Sequence, residues 1–268
     1  MSTLERFALE ARRLARRAGA AILEIYAGSF AVEHKADDSP LTAADMASHR
    51  IIVAGLQALT PDIPVLSEES KHIDWNTRHA WDRYWLVDPL DGTREFVKRN
   101  GEFTVNIALI ENHAPVLGVV LVPVTGALYF GVAGDGAFLE NAPGALPQPI
   151  ATRAAATVPV VAGSRSHGNE RQTAMLSKLG RHTLMSVGSS IKFCMVARGD
   201  ADLYLRLGPT SEWDTAAAQC VLEQAGGAVV DLHGNALRYN AGESLLNPEF
   251  LALGDGSVDW LARLGLRA

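Results

Sequence analysis

Cysteine is scarce in this chain: Cys194 and Cys220 are the two among 268 residues, and no Cys-x-x-Cys spacing occurs. Both lie in apolar, helix-like surroundings, so reduced, buried thiols are expected in place of a disulfide framework. The eight histidines are scattered, with no His-Glu-x-x-His or paired-His spacing, which leaves a zinc site without support. Excess positive charge is missing too. The net charge of −6 argues against a nucleic-acid duplex as partner, because that needs clustered Lys and Arg. It leaves small phosphorylated substrates open, since bound cations can supply positive charge locally. No apolar run approaches membrane-spanning length, and the N-terminus lacks a signal-peptide core, so a cytoplasmic protein is expected. With 48% hydrophobic and 20% charged residues, the composition is that of a globular chain with a real core.

What is present centres on Trp85-Leu-Val-Asp88-Pro-Leu-Asp91-Gly92-Thr93-Arg-Glu-Phe96. The apolar run Tyr84 to Val87 reads as a buried strand end. Pro89 fixes its own φ and pushes Asp88 towards an extended conformation, so Asp88 and Asp91 sit on a tight bend. Two crowded carboxylates repel unless a cation lies between them. Gly92 and Thr93 offer backbone N–H groups and a hydroxyl at a helix start, which suits phosphate. Asp-Gly is also an ordinary turn signal, but a turn accounts for neither Asp88 nor Thr93.

Around this stretch the chain divides at a linker, residues 141–153, into an N-terminal α+β half (1–145) and a C-terminal α/β half (146–268). The first segment carries Leu4, Phe7, Ala8, Ala11, Leu14, Ala15, Ala18, Ile22 and Ile25 at helical spacing, with Gly28 as a stop. Arg12, Arg13, Arg16 and Arg17 fall on the opposite side, a solvated face or a weak patch for an anionic membrane. Thr42 and Asp45 form a capping-box pattern, and Asp45 alone reads as a first-turn acid. Pro64-Val-Leu-Ser67-Glu68-Glu69 is a second strand tipped with acids. From Phe103 to Gly131, three strands form an antiparallel meander. The glycines at 131–136 lack a following helix and mark a hairpin turn, not a nucleotide loop. Beyond residue 153, strands at 158–162, 182–187, 201–205 and 228–231 alternate with helices near 168–178, 190–197 and 215–225. Asp214, at the last of these helices, is a sound N-cap by itself.

Together these segments resemble the metal-dependent phosphatase superfamily that includes inositol monophosphatases and fructose-1,6-bisphosphatases. The resemblance is carried by Leu66-Ser-Glu68-Glu69, Asp88-Pro-Leu-Asp91-Gly-Thr93 and Trp213-Asp214-Thr-Ala-Ala, and runs almost the full length. Within it the chain is most similar to the bacterial CysQ-type 3′(2′),5′-bisphosphate nucleotidases. Ser39-Pro-Leu-Thr-Ala-Ala-Asp45, Lys98-Arg-Asn-Gly-Glu-Phe-Thr-Val-Asn-Ile-Ala-Leu109, Ser164-Arg-Ser-His167, Gly188-Ser-Ser-Ile-Lys192-Phe-Cys and Tyr204-Leu-Arg206-Leu-Gly-Pro-Thr carry that narrower likeness.

The resemblance implies a layered αβαβα sandwich of the inositol-monophosphatase type and hydrolysis of the 3′-phosphate of 3′-phosphoadenosine 5′-phosphate, in sulfur metabolism. It implies that Glu68 and Asp88, with the Leu90 carbonyl, hold one Mg²⁺. Asp88, Asp91 and Asp214 hold the second, with Asp88 bridging, and Glu69 supports them or helps a third, weaker ion. Hard oxygen ligands suit Mg²⁺. Water activated by metal attacks in line, Asp45 and Thr93 orient it and take its proton, and Gly92 and Thr93 cradle the phosphate. Glu68, Asp91 and Asp214 also border the substrate, and His167, Ser189, Lys192 and Arg206 surround the adenosine and its 5′-phosphate. Taken alone, Lys192 and Arg206 read as a helix-surface and an edge-strand cation. A monomer or homodimer is expected. The competing readings are an inositol monophosphatase, a non-catalytic nucleotide sensor and, from the 131–136 glycines alone, a dinucleotide-dependent oxidoreductase.

Overall fold

The computed structural model describes residues 2–29, 31–34, 40–70, 73–164 and 170–267. The chain opens with α1 (Thr3–Ala27), whose N-cap Ser2 and Glu5 form a capping box and whose helix stops at Gly28. Phe7, Ala8, Ala11, Leu14, Ala15, Ala18 and Ile22 are its buried stripe. A small ribbon of β1 (Val32–His34) and β2 (Pro40–Thr42) leads into α2 (Ala43–Leu59), capped by Thr42 and Asp45.

Then come β3 (Val65–Ser67), a single turn α3 (Trp75–Arg78), β4 (Arg83–Asp91) and α4 (Thr93–Val97). The meander follows as β5 (Thr104–Glu111), β6 (Ala114–Val122), β7 (Ala127–Val132), β8 (Gly136–Glu140) and β9 (Gln148–Ile150). Strands β3 to β9 form a seven-stranded sheet in sequence order, with only β3 and β4 parallel. The glycines at 131–136 close the β7–β8 hairpin, as a turn would. The segment 141–153, read as linker, contributes β9 to this sheet; Gln148 and Ile150 pair with β8 despite the prolines around them. Trp75 to Arg78 forms α3, with Asp74 as its N-cap accepting from the Thr77 N–H.

The remaining chain gives β10 (Val160–Ser164), α5 (Glu170–Ser177), β11 (Thr183–Val187), α6 (Ile191–Ala197), β12 (Leu203–Arg206), α7 (Glu212–Gln224), β13 (Ala228–Asp231), β14 (Phe250–Leu253) and α8 (Trp260–Arg263). The five-stranded second sheet has the order β11-β10-β12-β14-β13. Strand β14 is absent from the sequence reading, yet it lies between β12 and β13 and pairs antiparallel with both. Its presence makes β12 the central strand, so Arg206 is not an edge-strand cation.

Alternating side chains divide the core into layers. On β4, Trp85 and Val87 face α1 and α2, while Tyr84 and Leu86 face α6 and α7. The same middle layer meets Ala162, Tyr204 and Ala252 of the second sheet, whose far face packs on Met175, Leu176, Trp260 and Leu261 of α5 and α8. The architecture is therefore a layered αβαβα sandwich with two mixed sheets. Helix α7 can lie on the first sheet because Gly118 has no side chain: a Cβ there would meet the Ala217 carbonyl oxygen at 2.1 Å.

The arginine stripe of α1 is not a uniform solvated face. Arg12 and Arg16 turn inwards and both pair with buried Glu140, and Arg12 also lies over the Phe130 ring, leaving Arg13 and Arg17 exposed. Cys194 and Cys220 are free and buried, as expected. No described helix is long and apolar enough to cross a membrane.

Candidate active site

The β4–β5 ladder slips at the central motif: Asp88 faces Asn106, but Asp91 faces Thr104. Three steps on one strand oppose two on the other, and the extra residue turns both aspartates to the same face of the sheet. Gly92 then takes φ +91° and starts α4, a conformation any side chain would strain. Asp214 arrives from the other half of the chain on α7. One carboxylate oxygen from each of Asp88, Asp91 and Asp214 lies within 4.8 Å of the others.

Burial and mutual repulsion dominate this cluster. Asp88 is driven well above the ordinary carboxylate range by burial first, then by the charges of Glu68, Asp91 and Asp214. Burial, with Asp91 and Glu68, drives Asp214 the same way. The Glu68 carboxyl adds to the rise at Asp88 both by its charge and by its closeness to that group. Glu68 reaches this place because its N–H extends the β3–β4 pairing to the Val87 carbonyl, 3.1 Å away. Three hard carboxylates that oppose one another's ionisation fit a divalent cation, which removes the repulsion and accepts oxygen donors.

Asp45 stands beside this group on the first turn of α2. It is the N3 residue of its capping box: Oδ2 accepts from the Thr42 N–H at 2.8 Å and the Thr42 hydroxyl at 2.7 Å. Its Oδ1 lies 3.4 Å from the Thr93 hydroxyl, which also lies 3.3 Å from the Leu90 carbonyl. Asp214 is likewise the N3 residue of its helix and not the N-cap, which is Ser211. Its Oδ2 accepts from the Ser211 N–H at 2.9 Å.

A cleft of about 250 Å³ opens from Asp91, Gly92, Thr93 and Asp214 towards Ser189, Lys192 and Arg206. Lys192 is only 5% exposed and Arg206 9%, so neither is the surface cation that the sequence alone allowed. The Lys192 amine donates to the carbonyls of Ser189 at 2.6 Å and Val187 at 3.3 Å. Burial pulls its pKa down to about 8, against the opposing pull of Asp91. Arg206 donates to the carbonyls of Gly208 and Pro209 at 3.1 and 2.8 Å. Ser189 has φ +48°, and its buried hydroxyl oxygen has no partner among the described residues.

The structure thus gathers Asp45, Glu68, Asp88, Leu90, Asp91, Gly92, Thr93, Ser189, Lys192, Arg206 and Asp214 around one junction between the halves. Glu69 is partly exposed, and its charge only opposes the burial that lowers the pKa of His49. His167 lies outside the described residues. Sequence reasoning overlooked Ser190, whose N–H and hydroxyl both approach Asp91 Oδ2 at 2.6 Å. Its one signal was its place in Gly188-Ser-Ser-Ile-Lys192, quoted above for its neighbours.

Residues 3–256 match the sequence model of the inositol monophosphatase family. The chain belongs to this family. Among its relatives, the 3′(2′),5′-bisphosphate nucleotidase CysQ of Salmonella typhimurium is 53% identical over 240 residues, covering 89% of this chain and 96% of that protein. The CysQ of Escherichia coli strain K12 is 52% identical with the same coverage. The crystal structure of CysQ from Bacteroides thetaiotaomicron superimposes with a TM-score of 0.84 at 42% identity, over 94% of this chain and 98% of that one. An inositol monophosphatase from Anabaena gives 0.78 at 26% identity, over 99% and 97%. The glycine-turn reading as an oxidoreductase finds no place in this family or in the hairpin that contains those residues.

Proposed function

We propose that the protein hydrolyses the 3′-phosphate of 3′-phosphoadenosine 5′-phosphate to AMP and phosphate, with Mg²⁺ as cofactor. The observation that carries this reading is the pairing of one cleft with two unlike ends. At one end is the carboxylate trio; at the other are two buried cations, Lys192 and Arg206. A substrate with two phosphates uses both ends, one phosphate being cleaved and the other held. The 53% identity to a nucleotidase of that name supports the same choice over an inositol phosphate.

In this reading Glu68, Asp88 and the Leu90 carbonyl hold one ion, and Asp88, Asp91 and Asp214 hold a second. Glu69 would support these ligands or help a third, weaker ion. Bound Mg²⁺ supplies Lewis acidity, which acidifies water and neutralises charge on the leaving oxygen. The protein's own part is positioning and proton transfer. Thr93 orients the attacking water through its hydroxyl oxygen. As the water oxygen bonds to phosphorus, Thr93 takes a water proton and passes its own to Asp45 Oδ1. The bond from phosphorus to the 3′-oxygen breaks, and that oxygen leaves as the alcohol after gaining a proton from solvent. Thr42 holds Asp45 Oδ2 throughout, so the accepting oxygen keeps its direction. Gly92 and Thr93 line the same cleft, where their N–H groups would meet the phosphate oxygens. Lys192, Arg206 and the Ser189 hydroxyl receive the adenosine and its 5′-phosphate.

The deciding experiment measures phosphate release from 3′-phosphoadenosine 5′-phosphate and from inositol 1-phosphate, each with Mg²⁺. A large preference for the nucleotide is expected. Preference for the inositol phosphate would overturn the substrate assignment, and tight nucleotide binding without release would favour a sensor.

A further inference from the structure

We propose that Ser190 is a positioning residue for the metal site: it clamps one oxygen of Asp91 and so presents the other to the ion. This rests on the reading of Asp91 as a metal ligand. The Ser190 N–H and its hydroxyl both lie 2.6 Å from Asp91 Oδ2, and the Thr104 hydroxyl stands 3.4 Å from the same atom. A carboxylate oxygen has two good acceptor directions, and the serine N–H and hydroxyl together can occupy both on Oδ2. Oδ1 accepts no hydrogen bond from the described residues and is the atom left for a cation.

The serine is itself held. It is 2% exposed, and its hydroxyl oxygen accepts from the Asn106 side-chain amide at 2.9 Å. Asn106 is 1% exposed and faces Asp88 across the β4–β5 ladder. With that acceptor direction occupied, the single hydroxyl proton points to Asp91 Oδ2 or to the Asp214 backbone carbonyl, 2.7 Å away. Ser190 therefore touches the first-half ligand Asp91, the second-half ligand Asp214 at its backbone, and a residue opposite Asp88. The positive φ of Ser189 sets the turn that delivers it. Because ordering of Asp91 precedes ion binding, the clamp acts on affinity, as hydrogen bonds behind a metal ligand do.

The test is calorimetric titration of Mg²⁺ into the metal-stripped full-length protein and its variants, with folding checked by circular dichroism. Ser190→Ala keeps the backbone N–H and removes the hydroxyl; it should bind Mg²⁺ about 10- to 100-fold more weakly. Ser190→Thr restores a hydroxyl and should return to near the parent value. Parent-like affinity in Ser190→Ala, or an equal loss in Ser190→Thr, overturns the proposal. If Ser190→Ala does not fold, Asn106→Ala replaces it. That variant frees the hydroxyl to turn away and should also weaken Mg²⁺; parent-like binding overturns the clamp. Asp91→Asn separates the two claims. If it binds Mg²⁺ as the parent does, the metal-site reading itself fails. If it loses the ion while Ser190→Ala does not, only the role of Ser190 fails.

Discussion

Asp45 and Asp214 occupy the same helical position, N3 of a capping box, on α2 and α7 from opposite halves of the chain. In each, one oxygen is tied to the residue that caps its own helix. Rigid helix starts, not loops, therefore aim these two carboxylates into the junction.

For Asp45 the expected consequence is catalytic. Asp45→Asn keeps an acceptor for Thr42 but cannot take a proton through Thr93. Turnover should fall by about 10²- to 10⁴-fold, the range of a lost general base, while Mg²⁺ and nucleotide bind nearly as before. Steady-state kinetics beside calorimetry measures this, and near-parental turnover would remove Asp45 from proton transfer.

Asp88 should govern both ions and the pH response. In the metal-free protein its pKa is raised, as is that of Asp214. A raised carboxylate pKa stabilises fully below the unperturbed value of 3.8 and loses that contribution as pH climbs through the folded value. Metal-free protein should thus lose stability on going from acid towards neutral pH, and saturating Mg²⁺ should restore it. At an ion concentration 100 times the dissociation constant, the gain is about 2.7 kcal/mol. Asp88→Asn should melt higher than the parent without metal and gain little from Mg²⁺. A parental Mg²⁺-induced shift in that variant's melting temperature would contradict the bridging role.

Lys192 gives a second pH signature. Its charge is present below about 8 and lost above, in the unliganded protein. KM for the bisphosphate should rise through that region, whereas Lys192→Arg, charged throughout, should show no such rise. Lys192→Ala should lose the preference for bisphosphate over monophosphate. An unchanged preference would exclude Lys192 from phosphate recognition.

Gly118 tests the packing that carries Asp214. A methyl group there would strike the Ala217 carbonyl of α7. Gly118→Ala should cost about 1–3 kcal/mol by overpacking. Calorimetric melting should drop by roughly 2–4 °C per kcal/mol. Mg²⁺ affinity should fall with it, since α7 must shift. A parental melting temperature would mean that the sheet and helix yield freely.

Much of the site was legible because its chemistry is written locally. Asp88-Pro-Leu-Asp91-Gly-Thr93 sets its own bend, and Thr42 with Asp45 spells out a cap. What local sequence leaves open has one cause, which is neighbourhood. Taken alone, Arg206 passes for an edge cation because β14, a four-residue strand behind Asn247-Pro248, has no periodic signal, and only its pairing makes β12 central. Lys192 taken alone passes for a helix-surface cation, but α6 is buried on most sides. Arg12 and Arg16 left the solvated face once Glu140, 124 or more residues away, was folded beneath them.

Residue order alone thus specifies the elements, their caps, the bend at Asp88 to Thr93 and the oxygen-rich ligand types, since each depends on contacts within a few residues. Folding alone decides which of those carboxylates meet. Asp91 and Asp214 belong to different halves, and it is the close seating of α7 on a glycine-bearing strand, with Ser190 between the two residues, that brings them together. Long-range packing, with the burial that raises Asp88 and lowers Lys192, has no counterpart in local sequence.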